Sequence, residues 1–433
     1  NIGGFNVNFG HKNTDFGNYD IPGGAIIHDD HDDHDDEEEE LSYLENSDYA
    51  VESSKFGISK VEDWGYIGLS LDNLESVYGI PFHGEEHEPE GGEPHEEERI
   101  FSSTDSESFT IKGSYNINGN LVNKIDFMYR DSDYELVEAH EEEHDADHDP
   151  SEEEHEPTFF MNEAIEYGAT FDLSSKNSKQ KVVLNFVDED NSIIGEEAFM
   201  RPASNEVFTI GYYISKDLNL FNVDLGIRLD QVDRSGSIFD EHHNDTDYYN
   251  IDDSTNSFAI SAKRDLSENL GVTFGFASVE RLPSVIELFM NGPHLATGRF
   301  EIGDPTLNSE TSDNFDVAIH YQKDGFYANA SYYINNIDNY IALIDEEDHG
   351  DEGHDDEACH EEEDDDDHDP GEDPHDPHNH PELICANYVQ EDAEFDGYEI
   401  EFGKSVDVGS GELTLSYGRD VVNAKFSDGH NVP

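Results

Sequence analysis

Hydrophobic and polar residues alternate strictly along several segments of the chain. In 219–230, apolar residues take every second position (Phe221, Val223, Leu225, Ile227, Leu229) and polar residues or glycine take the positions between them (Asn222, Asp224, Gly226, Arg228, Asp230). Side chains of a strand point alternately to its two faces, so this period predicts a β-strand with one apolar and one polar face. Segment 205–214 repeats the pattern, and only 215–218 separate the two, which is a hairpin-length connection.

The same alternation, followed along the chain, predicts an all-β fold of about fifteen strands. They are expected at 2–11, 50–59, 64–76, 106–116, 119–130, 163–173, 179–188, 205–216, 219–231, 254–264, 269–280, 312–322, 325–335, 394–406 and 411–422. The connections alternate between short turns and long segments, the long ones being 12–49, 77–105, 131–162, 189–204, 232–253, 281–311 and 336–393. Since consecutive antiparallel strands place every second connection at the same end, one end should carry the turns and the other the loops.

A soluble β-sandwich or propeller would also have many short strands joined by turns. Two features favour a membrane barrel instead: the strict alternation of long and short connections, and the Asp, Asn, Gln and Arg residues in mid-strand, which suit a wide lumen better than a dry core. Outer-membrane barrels turn apolar residues to lipid, and they have short periplasmic turns and long extracellular loops. The sequence therefore predicts a transmembrane antiparallel up-and-down β-barrel in the bacterial outer membrane, with membrane lipid as a partner.

The amino-acid composition is typical of strands, and the net charge indicates the charge of the binding partners. No apolar run approaches 18 residues and the mean hydropathy is −0.77, so no transmembrane helix is predicted. The 26 Phe, 21 Tyr and 35 Gly are typical of strands and turns. With 105 acidic against 22 basic residues the formal net charge is −83. This charge excludes nucleic acid and makes cations the natural partners.

Histidine is concentrated in the long connections, where almost every neighbour is Asp or Glu. Nineteen of the 23 His lie in five of them: His28, His31, His34, His83, His87, His95, His140, His144, His148, His155, His242, His243, His349, His354, His360, His368, His375, His378 and His380. Imidazole suits Zn²⁺, Cu²⁺ and Ni²⁺, whereas carboxylate alone suits Ca²⁺ or Mg²⁺, so the mixture favours zinc. These residues are our candidate metal ligands.

The other interpretation of these segments is a solvated acidic loop, the usual meaning of a charge run. Acidic solvation gives no reason to interleave His so regularly, so metal capture is preferred. The sites would be several and individually weak, and the negative field would concentrate cations near them. Affinity should fall as imidazole protonates below about pH 6.5.

Two cysteines, Cys359 and Cys385, flank the densest part of the largest loop. A disulfide there would close a loop of about 27 residues, worth about 3 kcal/mol in the chain-entropy treatment. Thiolate ligation of a metal is the competing use, but an oxidising cell surface disfavours it. We predict the disulfide.

Several segments resemble the barrel of TonB-dependent receptors. They are 78–81 (YGIP), 281–289 (RLPSVIELF) and 303–310 (GDPTLNSE); within that family the His/acid loops, together with 20–22 and 431–433, are most similar to zinc-uptake receptors. The resemblance implies a barrel of about 22 strands, an N-terminal plug, and uptake driven by an inner-membrane energy-coupling complex through a TonB box. The chain begins at Asn1 with no plug and no TonB box. Residues 1–433 are therefore expected to be a partial barrel domain, without the plug and the C-terminal closing strands.

The conspicuous residues of the barrel segments also have a structural interpretation. Arg281, Pro283, Glu287 and Phe289 are expected to shape the loop after strand 269–280 rather than touch substrate. His320 should face the lumen, as a contact for the plug. His294 is the better candidate for the transport path.

Catalysis finds no support, because the sequence has no Gly-x-Ser-x-Gly, Cys-x-x-Cys or His-Glu-x-x-His motif. The chain is therefore predicted not to be an enzyme and to hold no permanent cofactor. Three hypotheses remain: a TonB-dependent transporter of a divalent metal ion, most simply zinc; a receptor for a metal chelate, siderophore or haem; and a surface metal buffer that transports nothing. Haem would need aromatic and axial ligands, and the loops at 28–40 and 345–380 have few aromatics.

Overall fold

The computed structural model describes residues 4–22, 42–44, 46–81, 99–141, 157–195, 198–240, 245–294, 297–346 and 383–432. These residues form seventeen strands and one short α-helix: β1 (Phe5–Phe16), β2 (Tyr49–Glu62), β3 (Gly65–Gly79), β4 (Arg99–Asn116), β5 (Lys124–Glu141), β6 (Thr158–Asp172), β7 (Ser178–Ile194), β8 (Ala203–Asp217), β9 (Asn222–Asp240), β10 (Asp245–Ser267), β11 (Leu270–Arg281), α1 (Val285–Phe289), β12 (Asn291–His294), β13 (Arg299–Ile302), β14 (Glu310–Lys323), β15 (Phe326–Asp345), β16 (Ile384–Val408) and β17 (Gly411–Phe426). The predicted all-β fold is confirmed.

All fifteen predicted strands are present, but many continue into segments predicted as loops. The strand expected at 254–264 is β10, Asp245–Ser267, and the strand expected at 394–406 is β16, Ile384–Val408. Backbone hydrogen bonds extend a hairpin without needing apolar side chains, so pairing continues where the alternation ends. The prediction of 281–311 as a plain loop is wrong, because it contains α1, β12 and β13.

The chain forms two compact units. The first comprises Asn1–Ser114, Met128–Tyr167 and Glu189–Ala198, and the second comprises Tyr115–Phe127, Gly168–Asp188 and Phe199–Pro433. In the first unit β1, β2 and β3 pair antiparallel in sequence order. In the second, β8 to β11 pair in order, β11 pairs with β14, and β14 to β17 continue the series.

The registers place the long connections of each unit at one edge. In the first unit Tyr49 pairs with both Phe16 and Tyr78, so segments 17–48 and 80–98 leave from neighbouring strand ends. In the second unit Asp240 pairs with Asp245, Arg281 with Glu310, and Asp345 with Ala386, which groups 241–244, 282–309 and 346–383. The turns at 218–221, 268–269, 324–325 and 409–410 lie at the opposite edge.

Apolar side chains are exposed on one face of the strands, and polar side chains cover the other. In the second unit Ile227 is 44% exposed and Leu229 52%, whereas Asp230 is only 8% exposed. Asp230 accepts hydrogen bonds from Thr209 on β8 and from Arg228 on its own strand. Exposed apolar rows cost free energy in water and none in lipid, so this arrangement is that of a sheet with a lipid-facing side. In the described residues, no helix is long and apolar enough to cross a membrane.

The lipid-facing row can be tested with adjacent residues of β9. Ile227→Arg should destabilise the protein in lipid vesicles by about 2–4 kcal/mol, because a charge is placed against hydrocarbon. Gly226→Arg is the matched control, since its side chain would point to the polar face and a Cβ there meets no atom within 4 Å. Urea unfolding of both variants measures the difference. Equal losses would contradict the assignment of the faces.

Candidate functional site

A small packed structure at the long-connection edge of the second unit holds the best-defined candidate residues. We call residues 199–203, 282–294 and 297–303 the rim module. Its helix α1 begins with a capping box: the Ser284 side chain accepts from the Glu287 backbone N–H, and the Glu287 carboxylate accepts from the Ser284 N–H. These bonds satisfy two donors that the first turn of a helix leaves open.

Apolar residues of α1 fix the rim module to the neighbouring strands. Leu288 and Phe289 are each 1% exposed. The Phe289 ring stacks on Tyr249 of β10 at 6.0 Å, and it lies so close to Gly236 of β9 that a Cβ there would clash with the ring. Arg234 of β9 donates to the Pro283 carbonyl. The module is therefore a rigid part of the sheet edge, as expected from such burial.

A cluster of three charged residues joins the rim module to β11 and β14. The Arg281 guanidinium donates to both Glu287 carboxylate oxygens, at 2.8 and 3.0 Å, and through Nε to Glu310 at 2.5 Å. Glu310 also accepts from the Ile341 N–H at 2.7 Å. Burial opposes the ionisation of Glu287, but the hydrogen bonds from Arg281 and Ser284 outweigh it, and the pKa of Glu287 lies below its ordinary value. These contacts give Arg281, Pro283, Glu287 and Phe289 the structural role predicted from the sequence.

The lowered pKa of Glu287 predicts an acid-sensitive rim module. Its carboxylate stabilises the fold above the unfolded Glu pKa of about 4.3, and the contribution is lost as pH falls through the lower folded pKa. Hydrogen exchange at 285–289, corrected for intrinsic rates, should show protection falling below about pH 4. Glu287→Gln should remove this step, whereas Glu268→Gln, at the exposed turn after β10, should keep it. An unchanged acid step in Glu287→Gln would refute the assignment.

His294 lies in the rim module on β12, opposite β13. Its Nδ1 donates to the Glu301 carboxylate at 2.9 Å, because a carboxylate can only accept, and its ring stacks on Phe199 at 4.6 Å. Glu301 is 3% exposed, and Thr297 also donates to it at 3.1 Å. A buried carboxylate that fixes Nδ1–H leaves Nε2 as the lone-pair nitrogen, the arrangement that orients metal-ligating imidazoles. The His294 side chain keeps 26% of its surface exposed.

One protein family matches nearly the whole chain. The family described as TonB dependent receptor-like, beta-barrel, matches residues 4–431. The chain belongs to this family. TonB-dependent receptor barrels lie in the bacterial outer membrane, and these receptors are transport proteins rather than enzymes. The predicted fold class, location and absence of enzymatic activity are confirmed by this membership.

Solved structures of two metal transporters and a hemophore receptor share the fold at low sequence identity. The FrpB iron transporter from Neisseria meningitidis (F3-3 variant) is 14% identical with a TM-score of 0.64, over 98% of this chain and 59% of that chain. The copper transporter OprC is 12% identical with a TM-score of 0.66, over 99% of this chain and 58% of that chain. A third structure is a double mutant of the Serratia marcescens hemophore receptor HasR in complex with its hemophore HasA and heme. It is 13% identical with a TM-score of 0.62, over 96% of this chain and 59% of that chain. The chain thus spans less than two thirds of the length of each.

Most candidate ligands of this TonB-dependent receptor barrel lie outside the described residues. His140 lies on β5, where only the backbone is described, and the other eighteen loop histidines fall in undescribed segments. The structure shows which strand ends those segments join: β1 and β2, β3 and β4, β5 and β6, β9 and β10, and β15 and β16. Across the described residues no group of three or more His, Cys, Asp or Glu is placed to hold a metal ion.

The structure also locates Cys385, half of the predicted disulfide, and His320, the predicted plug contact. Cys385 on β16 is 9% exposed and disulfide-bonded, while Cys359 lies outside the described residues, so their pairing stays a prediction. His320 on β14 contacts Asn329 at 3.1 Å, near the short turn at 324–325. It therefore lies at the opposite edge of the second unit from His294.

Sequence reasoning missed Glu301, Thr297 and Phe199, which surround His294. Glu301 approaches His294 only because β12 and β13 form a hairpin in which Gly292 pairs with Glu301. Among the described residues of the turn, Gly298 has a positive φ of +64°, so this glycine is a local sequence signal for it. Four-residue strands are too short to show alternation, so periodicity could not reveal this pairing.

Proposed function

We propose that this chain is the barrel portion of an outer-membrane receptor that captures a divalent metal ion, zinc in the first place, for TonB-dependent uptake. The observation that carries the proposal is the distribution of histidine: nineteen of 23 lie among Asp and Glu, eighteen of them in the connections that leave the long-connection edge of each unit and His140 near the end of β5. In outer-membrane barrels long loops face the cell exterior. The loops thus present ligands where a metal arrives.

The chemistry of these loops supports zinc over other cations. Carboxylates alone would bind Ca²⁺ or Mg²⁺, and the interleaved imidazoles add the nitrogen ligands that Zn²⁺ prefers. The net charge of −83 raises the local concentration of any cation, which helps several weak sites to act together. Zinc is the cargo in this proposal, and no resident cofactor is required.

His294 is the proposed next ligand after the loops. Its ring is oriented by the contact of Nδ1 with Glu301 and by the Phe199 ring. A preorganised imidazole binds metal more tightly than a free one, because less conformational entropy is lost on binding. The proposed partners are membrane lipid and, through the part of the receptor outside this chain, the TonB energy-coupling complex.

Two matched variants of segment 349–380 distinguish metal ligation by histidine from attraction of cations by the acidic charge. One variant replaces its seven histidines by Gln and keeps the acidic charge; the other replaces the seven acids of 361–367 by their amides and keeps the histidines. Calorimetry with Zn²⁺ and Ca²⁺ on the purified protein should show, for the first variant, a roughly tenfold weaker Zn²⁺ affinity, a difference of about 1.4 kcal/mol, with the Ca²⁺ affinity unchanged. The second variant should weaken both metals alike.

Three results would redirect the proposal. Calcium binding as tight as zinc binding in the unchanged protein would indicate a solvated acidic surface. Zinc binding without uptake of radioactive zinc by cells carrying the complete receptor would indicate a metal buffer. Uptake of zinc or iron only as a chelate, or of haem, would indicate a chelate receptor.

A further inference from the structure

Two lysines and an aromatic residue form a row across three strands at the turn edge of the second unit. Lys323 of β14 pairs with Phe326 of β15, and Phe326 pairs with Lys404 of β16. Neighbouring strands lie about 4.8 Å apart, so the two lysine Cα atoms are about 10 Å from each other. The Lys404 ammonium donates to the Asp324 carbonyl at 2.5 Å, which holds its charged end at the turn. We call Lys323, Phe326 and Lys404 the basic row.

The basic row lies on the apolar, lipid-facing side of the sheet. Side chains alternate between the two faces, so Lys323 shares its face with Ile319 of the same strand, and Lys404 shares its face with Phe402. Ile319 is 50% exposed and Phe402 is 44% exposed, as expected of side chains that contact lipid. Both lysines are exposed as well. They therefore border the surface that acyl chains cover.

Aromatic side chains accompany the cations at this edge. The Phe326 ring lies 6.0 Å from the ring of Tyr321, which is on the same face of β14. In the same unit Arg264 of β10 lies over the ring of Phe221, at 5.5 Å from its centroid, beside the turn that precedes β9. Aromatic residues are enriched where a membrane meets water, since their rings sit at the level of the head groups. The basic row is therefore expected at the head-group level of the bilayer.

The chemistry of the basic row suits a phosphate group. A lysine can keep its apolar stem against hydrocarbon while its ammonium reaches the head groups. Two ammonium groups on either side of one ring offer several N–H donors to phosphate oxygens. The chain has 105 acidic and only 22 basic residues, so anionic head groups would be repelled by most of its surface. Cations on the lipid-facing side of this edge give such head groups a favourable contact.

We propose that the basic row binds the phosphate of an anionic phospholipid of the surrounding bilayer, with acyl chains lying along Ile319 and Phe402. Outer-membrane barrels turn their short connections to the periplasm, so this lipid belongs to the periplasmic leaflet. The contact would fix the depth of β14 to β16 in the membrane. The inference goes beyond metal capture and does not depend on it, because the basic row lies at the edge opposite the long connections.

A tryptophan placed in the basic row reports which lipid occupies it. Phe326→Trp in a Trp64→Phe background makes this the only tryptophan of the chain. The purified protein is reconstituted in phosphatidylcholine vesicles with either brominated phosphatidylglycerol or brominated phosphatidylcholine, since bromine quenches a nearby indole. We expect phosphatidylglycerol to bind there at least roughly fivefold more tightly. The preference should fall between about 0.1 and 1 M salt, as the Debye length shrinks from about 10 to about 3 Å.

Single charge removals test which lysines carry the preference. Lys323→Gln and Lys404→Gln should each lower it by roughly two- to fivefold, and the double variant should remove it. Lys263→Gln is the matched control. Lys263 lies near the same edge on β10, but it pairs with Asn222 and Thr273 on the polar face. Its removal changes the net charge by the same amount and should leave the preference unchanged.

Three results would overturn the proposal. The first is equal quenching by the two brominated lipids. The second is an equal loss of preference in Lys263→Gln and Lys404→Gln, which would indicate bulk charge. The third is loss of the preference on adding inorganic phosphate at constant ionic strength, which would indicate a site for a free anion. Tyr321→Trp, 6.0 Å from the Phe326 ring, provides a second reporter if Phe326→Trp does not fold.

Discussion

Arg281→Met is expected to destabilise the rim module by roughly 2–4 kcal/mol. Arg281 is the only cation that contacts Glu287 and Glu310 in the described structure, and their side chains are 15% and 11% exposed. Its loss would leave two neighbouring carboxylates partly buried without compensation. Arg281 itself is 45% exposed, so solvent screening keeps the cost below that of a fully buried pair.

Hydrogen exchange across 282–303 and denaturant unfolding measure this loss. The control is the triple variant Arg281→Met, Glu287→Gln, Glu310→Gln, which removes the uncompensated charge and should recover most of the stability. The amides can still accept from the Ser284 and Ile341 backbone N–H groups. A loss in the single variant below about 1 kcal/mol would mean that the pairs act as ordinary surface ion pairs.

If His294 is the zinc ligand proposed above, Glu301→Gln is expected to weaken zinc binding there by roughly 10- to 100-fold, the usual effect of removing the carboxylate behind a ligating imidazole. The substitution keeps the shape of the side chain and one acceptor oxygen, but it removes the charge that fixes Nδ1–H. His294→Ala should abolish the same site. Competition calorimetry with a zinc chelator, on a protein whose loop histidines are replaced by Gln, isolates this site from the loops.

The pair His430 and Asp428 provides the matched control for this prediction. Its Nδ1 to carboxylate distance is 2.6 Å, but the His430 side chain is 85% exposed. Asp428→Asn should leave zinc affinity unchanged, since no packing orients that ring. If Glu301→Gln and Asp428→Asn have the same small effect, His294 is a structural residue of the hairpin and the transport-path assignment fails.

Strand positions were predictable because the two-residue period is a local property of the chain. The 219–230 pattern identified β9 and its lipid-facing row, Ile227 and Leu229, without any knowledge of neighbours. Strand ends were less predictable. The extension of β10 back to Asp245 depends on pairing with β9, and that of β16 back to Ile384 on pairing with β15 and, at Ile384 itself, with β13. The residues of a single strand do not encode these pairings.

The sequence by itself determined the all-β fold, the two faces of the strands, the alternation of long and short connections and the enrichment of His and acids in the long ones. Only the tertiary structure placed Glu301 behind His294 and brought Arg281 between Glu287 and Glu310. The reason is physical. Periodicity and composition act along the chain, whereas these sites depend on the register between strands, which is fixed by pairing across distant segments.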